Sequence, residues 1–112
     1  MRYKELDVYK CSIKFLALAW QLTKEFPRGN AELVDQLKRA SLSVPLNIGE
    51  GAGRRTRADS AKHYSISRGS AMECSAVLDV LEVLEFGDQQ RIREGQQLLH
   101  RIVSMLSKMC VK

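Results

Sequence analysis

Proline and glycine are scarce in this chain, at two and seven residues of 112. That excludes a linker-rich or collagenous protein, which needs far more of both. Long hydrophobic runs are missing as well. Lys14 interrupts the best candidate, 11–22, which falls short of the roughly 18 uncharged apolar residues that suggest a membrane-spanning helix. No membrane partner is expected. The opening MRYKELDVYK has no apolar core segment and no small-residue cleavage site, so nothing in it marks the chain for secretion. Cysteine occurs in odd number, at positions 11, 74 and 110, without the close pairs used by metal and redox sites. Reduced, buried thiols in a cytoplasmic protein are the expectation, with no metal and no cofactor.

What is present is globular in character. Hydrophobic residues make up 45% and charged residues 28%, which is enough apolar material for a core and unlike a disordered chain. The length fits one domain, 1–112, with no room for a second core. The formal net charge of +5 is unevenly spread. Residues 1–27 hold five basic and three acidic groups, residues 28–68 eight and four, and residues 69–112 five and six. The middle third is therefore the electropositive part, densest at Gly53–Arg57 (GRRTR). Such a cluster suits a polyanion, because neutralising phosphates drives sequence-independent nucleic-acid binding. It also suits a solubilising loop between helices.

Apolar periodicity points to helices throughout. In the first helix, about 6–25, Leu6, Tyr9, Ile13, Leu16 and Trp20 form one stripe, and Val8, Cys11, Phe15, Leu18 and Leu22 form another. Residues two apart lie about 200° apart on a helix, so the stripes face nearly opposite ways. One can face the core of this domain, and the other requires a partner. Val8, Phe15, Leu18 and Leu22 are assigned to an oligomer interface. Pro27 and Gly29 break this helix, and Asn30 can cap the next. The second helix, 31–53, has Leu33, Leu37, Ala40 and Val44 as its stripe. Pro45 inside it removes a backbone bond to Ser41 and predicts a kink. A third helix runs from about 58 to 86, capped by Thr56 or Asp59, and a fourth from about 89 to 110. No segment alternates like a strand. Four helices with short loops predict an all-α, antiparallel, up-down-up-down four-helix bundle with a kinked second helix.

Active-site patterns find no support, and a non-enzymatic protein is expected. Gly49–Gly53 (GEGAG) lacks the strand and the Gly-Lys-Ser/Thr or third glycine of phosphate loops. Its glycines are expected to end a helix and permit close packing. His63 and His100 have no carboxylate cluster for a metal, and Ser41, Ser43 and Ser70 have no His–Asp pairing for nucleophilic chemistry. Glu73 stands on the stripe Ile66, Ser70, Glu73, Val77, Val80, where an unpaired carboxylate would be expensive. If the second and third helices are antiparallel about a turn near Thr56, Arg39 falls opposite Glu73, Lys62 opposite Glu50, and Val44 opposite Arg68. Gly69, Ser70 and Ala71 would let the helices approach. Arg39, Asn47, Glu50, Arg68 and Glu73 are thus assigned to an interior polar network that sets helix register.

Certain blocks have a recognisable pattern: Phe26-Pro27, Gln36-Leu37-Lys38-Arg39-Ala40, Ser43-Val44-Pro45-Leu46-Asn47-Ile48-Gly49-Glu50-Gly51, Gly53-Arg54 and Arg68-Gly69-Ser70-Ala71-Met72-Glu73. With Leu6, Val8 and Trp20, they resemble the bacterial four-helix bundle family first noted as proteins encoded in intervening sequences of large-subunit ribosomal RNA. Gly49 and Ser67 stand where that family commonly has alanine. The resemblance implies an antiparallel bundle assembling into a ring-like homopentamer. It also implies kinship with accessory variability determinants of diversity-generating retroelements, basic pentamers that bind nucleic acid and a reverse transcriptase. The expected function is a nucleic-acid-binding oligomer that contacts RNA or DNA backbone through Arg54, Arg55 and Arg57, with Lys10 and Lys14 added. The alternative is a protein-interaction scaffold, such as a reverse-transcriptase-associated ring, in which the positive charge is incidental.

Overall fold

The computed structural model describes residues 1–111. A short 3-10 helix, Arg2–Glu5, leads into α1 (Asp7–Thr23), α2 (Ala31–Ala52), α3 (Arg57–Leu84) and α4 (Gln89–Met109). No strand occurs among the described residues. The helices pack as a four-helix bundle in which each touches its two neighbours in the order α1–α2–α3–α4 and α4 closes on α1. At about 1.5 Å per residue, the 28 residues of α3 account for most of the 45 Å long axis of the molecule.

Side-chain contacts give the relative direction of neighbours. Ser43 meets Ser70, Val44 meets Ser67, Asn47 meets His63 and Gly51 meets Ser60. Position numbers rise along α2 as they fall along α3, the mark of antiparallel neighbours. Across α3 and α4, Arg68 meets Ser107 and Ser75 meets Gln96 in the same sense. Pro45 lies buried within α2, and the helix continues on both sides of it.

Polar side chains start and stop the helices. The Thr56 hydroxyl accepts from the Asp59 amide at 3.1 Å and opens α3, satisfying one of the free donors of a first helical turn. Asp88 does the same for α4, accepting from the Gln90 amide at 2.8 Å. Asn30 occupies the cap position of α2, but its side chain donates instead to the Pro27 carbonyl at 2.8 Å and braces the preceding loop. At that end Glu25 accepts from the Asp88 amide and pairs with Arg91, tying the α1–α2 loop to the start of α4.

The core reverses the assignment of the two α1 stripes. Val8, Phe15 and Leu22 are buried in the bundle, and Leu18 packs against them half-buried. Val8, Phe15 and Leu22 are therefore core residues and are not available to a partner, while Leu18 keeps part of its surface in the cleft between α1 and α4. Periodicity shows that two faces are apolar without showing which is inside. The choice is made on α4, where bare Gly95 admits that stripe. A Cβ placed there would lie 2.9 Å from Leu78, 3.2 Å from Leu18 and 3.4 Å from Phe15. Of the other stripe, Leu6 and Tyr9 pack against the edge of the core, while Ile13 and Trp20 stay on the surface, each 41% exposed. Lys38 of α2 lies 4.5 Å from the centre of the Trp20 ring, a distance at which the ring face attracts a cation. Truncating Phe15 should therefore act on folding. Phe15→Ala is expected to lower unfolding stability by about 3–5 kcal/mol, measured by urea denaturation, without first releasing a folded monomer.

Candidate nucleic-acid interface

The arginine turn is held by an unusual helix end. The last turns of α2 carry Gly49, Gly51 and Gly53. Gly49 and Gly51 present sides of the helix about 200° apart, and a tyrosine covers each. Tyr3, from the 3-10 helix, lies 3.9 Å from where a Cβ on Gly49 would be. Tyr64, from α3, sits so close to Gly51 that a Cβ there would lie 2.6 Å from its ring. Burial raises the Tyr64 hydroxyl pKa above its ordinary value. Tyr9 of α1 meets Tyr3 edge to face, ring centres 5.0 Å apart. The packing role expected of the glycines is thus specific to Gly51, which admits an aromatic ring against bare backbone.

From this end project Arg54, Arg55 and Arg57, all exposed. The Arg54 guanidinium donates to Glu50 at 2.8 Å, one turn back. Arg55 and Arg57 take part in none of the ion pairs among the described residues. Together with Tyr64 and Lys108 of α4 they line one open cleft of about 370 Å³. Arg2 lines the adjoining cleft with Tyr3 and Tyr64. Two cations and two aromatics outside the sequence assignment, Arg2, Lys108, Tyr3 and Tyr9, are therefore gathered at this end. Bundle topology held the signal, because an up-down order brings the start of the first helix and the end of the last beside the middle turn.

Lys10 and Lys14 are exposed on α1. Lys14 lines a separate cleft between α1 and α4 with Leu18, Arg91 and Arg101. The structure pairs it with that groove rather than with the arginine turn.

The five residues assigned to an interior network are not brought together. Arg39 is exposed and forms no ion pair among those described. Glu73 is half-buried and accepts from Gln36 at 3.4 Å. Glu50 is on the surface holding Arg54, and Arg68 donates to the Ser107 hydroxyl at 2.8 Å. Asn47 donates to Ser43 and meets His63. Equal distance from the turn sets the level along the axis but not the direction around it. The buried stripe of α3 is Ala61, Ser67, Ala71, Cys74, Val77, Leu78 and Leu81, so Val77 of the expected stripe does go inside, whereas Ile66 and Val80 are exposed. Glu73 therefore stands beside the core. Serines make the close polar contacts instead: Ser60 donates to the Gly51 carbonyl at 2.7 Å and Ser67 to the Val44 carbonyl at 2.8 Å. Gly69 faces open space and takes no part.

No group of three or more metal-ligating side chains occurs among the described residues, and none of their helices is long and apolar enough to cross a membrane. Burial, with a smaller contribution from the Glu73 carboxylate, pushes the Cys74 thiol up to about 12. Cys11 is also buried, while Cys110 is half-exposed.

With this geometry in place, comparison with known families is decisive. The chain matches the family described as 23S rRNA-intervening sequence protein over residues 4–108, and it belongs to that family. No curated protein matches it significantly.

Four outcomes follow from the packing. Gly51→Ala drives a methyl into the Tyr64 ring and should lower stability by about 1–3 kcal/mol. Gly49→Ala meets only ordinary contact with Tyr3 and should be neutral, or stabilise by up to about 1 kcal/mol through helix propensity. Thermal melts of the pair check both. Arg39→Met should change stability by no more than about 0.5 kcal/mol, as for an ordinary surface site. In a thiol titration at neutral pH, Cys110 should react with native protein, and Cys11 and Cys74 only after unfolding, because both are buried away from the reagent.

Proposed function

We propose that this protein is a non-enzymatic, cytoplasmic nucleic-acid-binding oligomer that grips RNA or DNA by the phosphate backbone at the Arg54–Arg57 end of the bundle. The carrying observation is the cleft shared by Arg54, Arg55, Arg57 and Lys108, in which, among the described residues, Arg54 alone is engaged by a carboxylate. Guanidinium groups suit phosphate because their forked donors match its oxygens. Contacts of this kind position a strand without reading its sequence. In a ring of copies the turns would repeat around one rim, and weak contacts would add through multivalency.

Self-association is supported by the strip left on α1 and α2, where Ile13, Trp20, Leu42 and Leu46 are 40–58% exposed. The homopentamer implied by the family resemblance is the assembly we propose. The same strip favours a second reading, in which the protein docks another protein, such as a reverse transcriptase, and needs no nucleic acid.

Anisotropy titrations at several salt concentrations separate the two. Each phosphate neutralised contributes about −0.9 to the slope of log affinity against log salt on duplex DNA, and about −0.7 on single strands. Replacing Arg54, Arg55 and Arg57 with Gln should make that slope shallower by about two, with the oligomer and its melting temperature nearly unchanged. An unaltered slope would remove the nucleic-acid role from this turn.

A further inference from the structure

Next to the arginine turn lies an open cleft of about 480 Å³ whose walls include Tyr3, Tyr9, Pro45, Leu46, Gly49 and Arg54. Its volume falls within the range of ligand sites, and its chemistry differs from that of the purely cationic rim. Tyr3 and Tyr9 meet at an interplanar angle of 79° with centres 5.0 Å apart, which makes an aromatic corner. A flat ring laid on the face of one tyrosine inside this corner turns its own edge toward the face of the other. Gly49 adds no side chain to the floor, and Leu46, 58% exposed, offers an apolar side. Arg54 stands at the rim, oriented by its 2.8 Å bond to Glu50 through one terminal nitrogen. Its other donors remain available to a second acceptor.

We infer that this corner takes an unpaired nucleobase, so that the protein's preferred ligand is single-stranded nucleic acid, its base stacked on Tyr3 or Tyr9 while the arginines hold the adjoining phosphates. The inference rests on the nucleic-acid reading above and narrows it. A duplex keeps its base faces stacked internally and offers this corner only a phosphate edge. An unpaired base offers a face, and stacking on an aromatic side chain tolerates any sequence. Glu50 also lines the cleft but is engaged by Arg54, and stacking reads a ring face without reading base identity.

The test uses the full chain and two fluorescein-labelled probes, an oligouridylate of about 12 nucleotides, within the span such grooves cover, and a duplex of the same length. Anisotropy at one salt concentration should show the single strand bound about tenfold tighter, the scale of one stacking contact. In Tyr3→Leu/Tyr9→Leu that ratio should fall to about one, and Tyr3→Phe/Tyr9→Phe should restore it. Equal affinities in the unaltered protein, or a ratio unmoved by the leucine pair, would overturn the inference. Should the leucine pair fail to fold, photo-cross-linking of the unaltered protein to a strand carrying 5-iodouridine decides the matter. Adducts on Tyr3 or Tyr9 support it, and adducts only elsewhere overturn it. If the arginine-to-glutamine triple loses binding while the tyrosine variants keep the ratio, stacking fails and the backbone-binding role stands. If neither probe binds at low salt, both readings fall.

Discussion

Much at the basic end of this bundle depends on one contact, the Tyr64 ring against the bare backbone of Gly51. Any side chain at position 51 would occupy the space of the ring. Because the ring lies so close, α3 can run tight against the end of α2, and Ser60 reaches the Gly51 carbonyl at 2.7 Å. Two turns further along α3, Ser67 reaches the Val44 carbonyl from a fully buried position. A buried hydroxyl without a partner would cost roughly 1–3 kcal/mol, so these bonds make close approach tolerable as well as possible. The turn between the helices is then short and its direction is set.

That geometry decides where charge goes. Of the arginines on this short, tightly anchored turn, Arg54 reaches back to Glu50, and Arg55 and Arg57 find no carboxylate among the described residues. Tyr3 on the opposite side of α2 holds the 3-10 helix against Gly49, which brings Arg2 to the same end. The last turn of α4 adds Lys108. The far end of the molecule is built differently, with Glu25 bridging to Asp88 and Arg91 and neutralising its own cation. The bundle thus gathers a basic, tyrosine-lined cluster at one end, while at the other Arg91 is held by Glu25 and Asp88.

The fold was legible because helical periodicity, Pro27 and Gly29 as breaks, and Thr56 as a cap all act locally. The family was legible because the blocks around Pro45-Leu46-Asn47 and Arg68-Gly69-Ser70 sit at fixed spacing, and the match over 4–108 agrees with them. What failed depended on direction around a helix axis. Counting from the turn put Arg39 level with Glu73, yet Arg39 points to solvent and Gln36 takes its place. Two apolar faces on α1 were correctly seen, but the face that goes inside was set by Gly95 on another helix, some 80 residues away in sequence. Tyr3 escaped notice because a four-residue 3-10 helix leaves no periodic trace, and its partner Tyr9 was taken only as part of a stripe.

The most direct measurement of the central claim, that one end of the bundle is the binding surface, is an amide proton–nitrogen spectrum of the protein titrated with a single-stranded oligouridylate. The account predicts that shifts concentrate at Tyr3, Tyr9, Lys108 and the backbone from Gly49 to Arg57, and that the Glu25–Arg91 end stays still. Shifts confined to the strip of Ile13, Trp20 and Leu42, or spread evenly over the molecule, would contradict it.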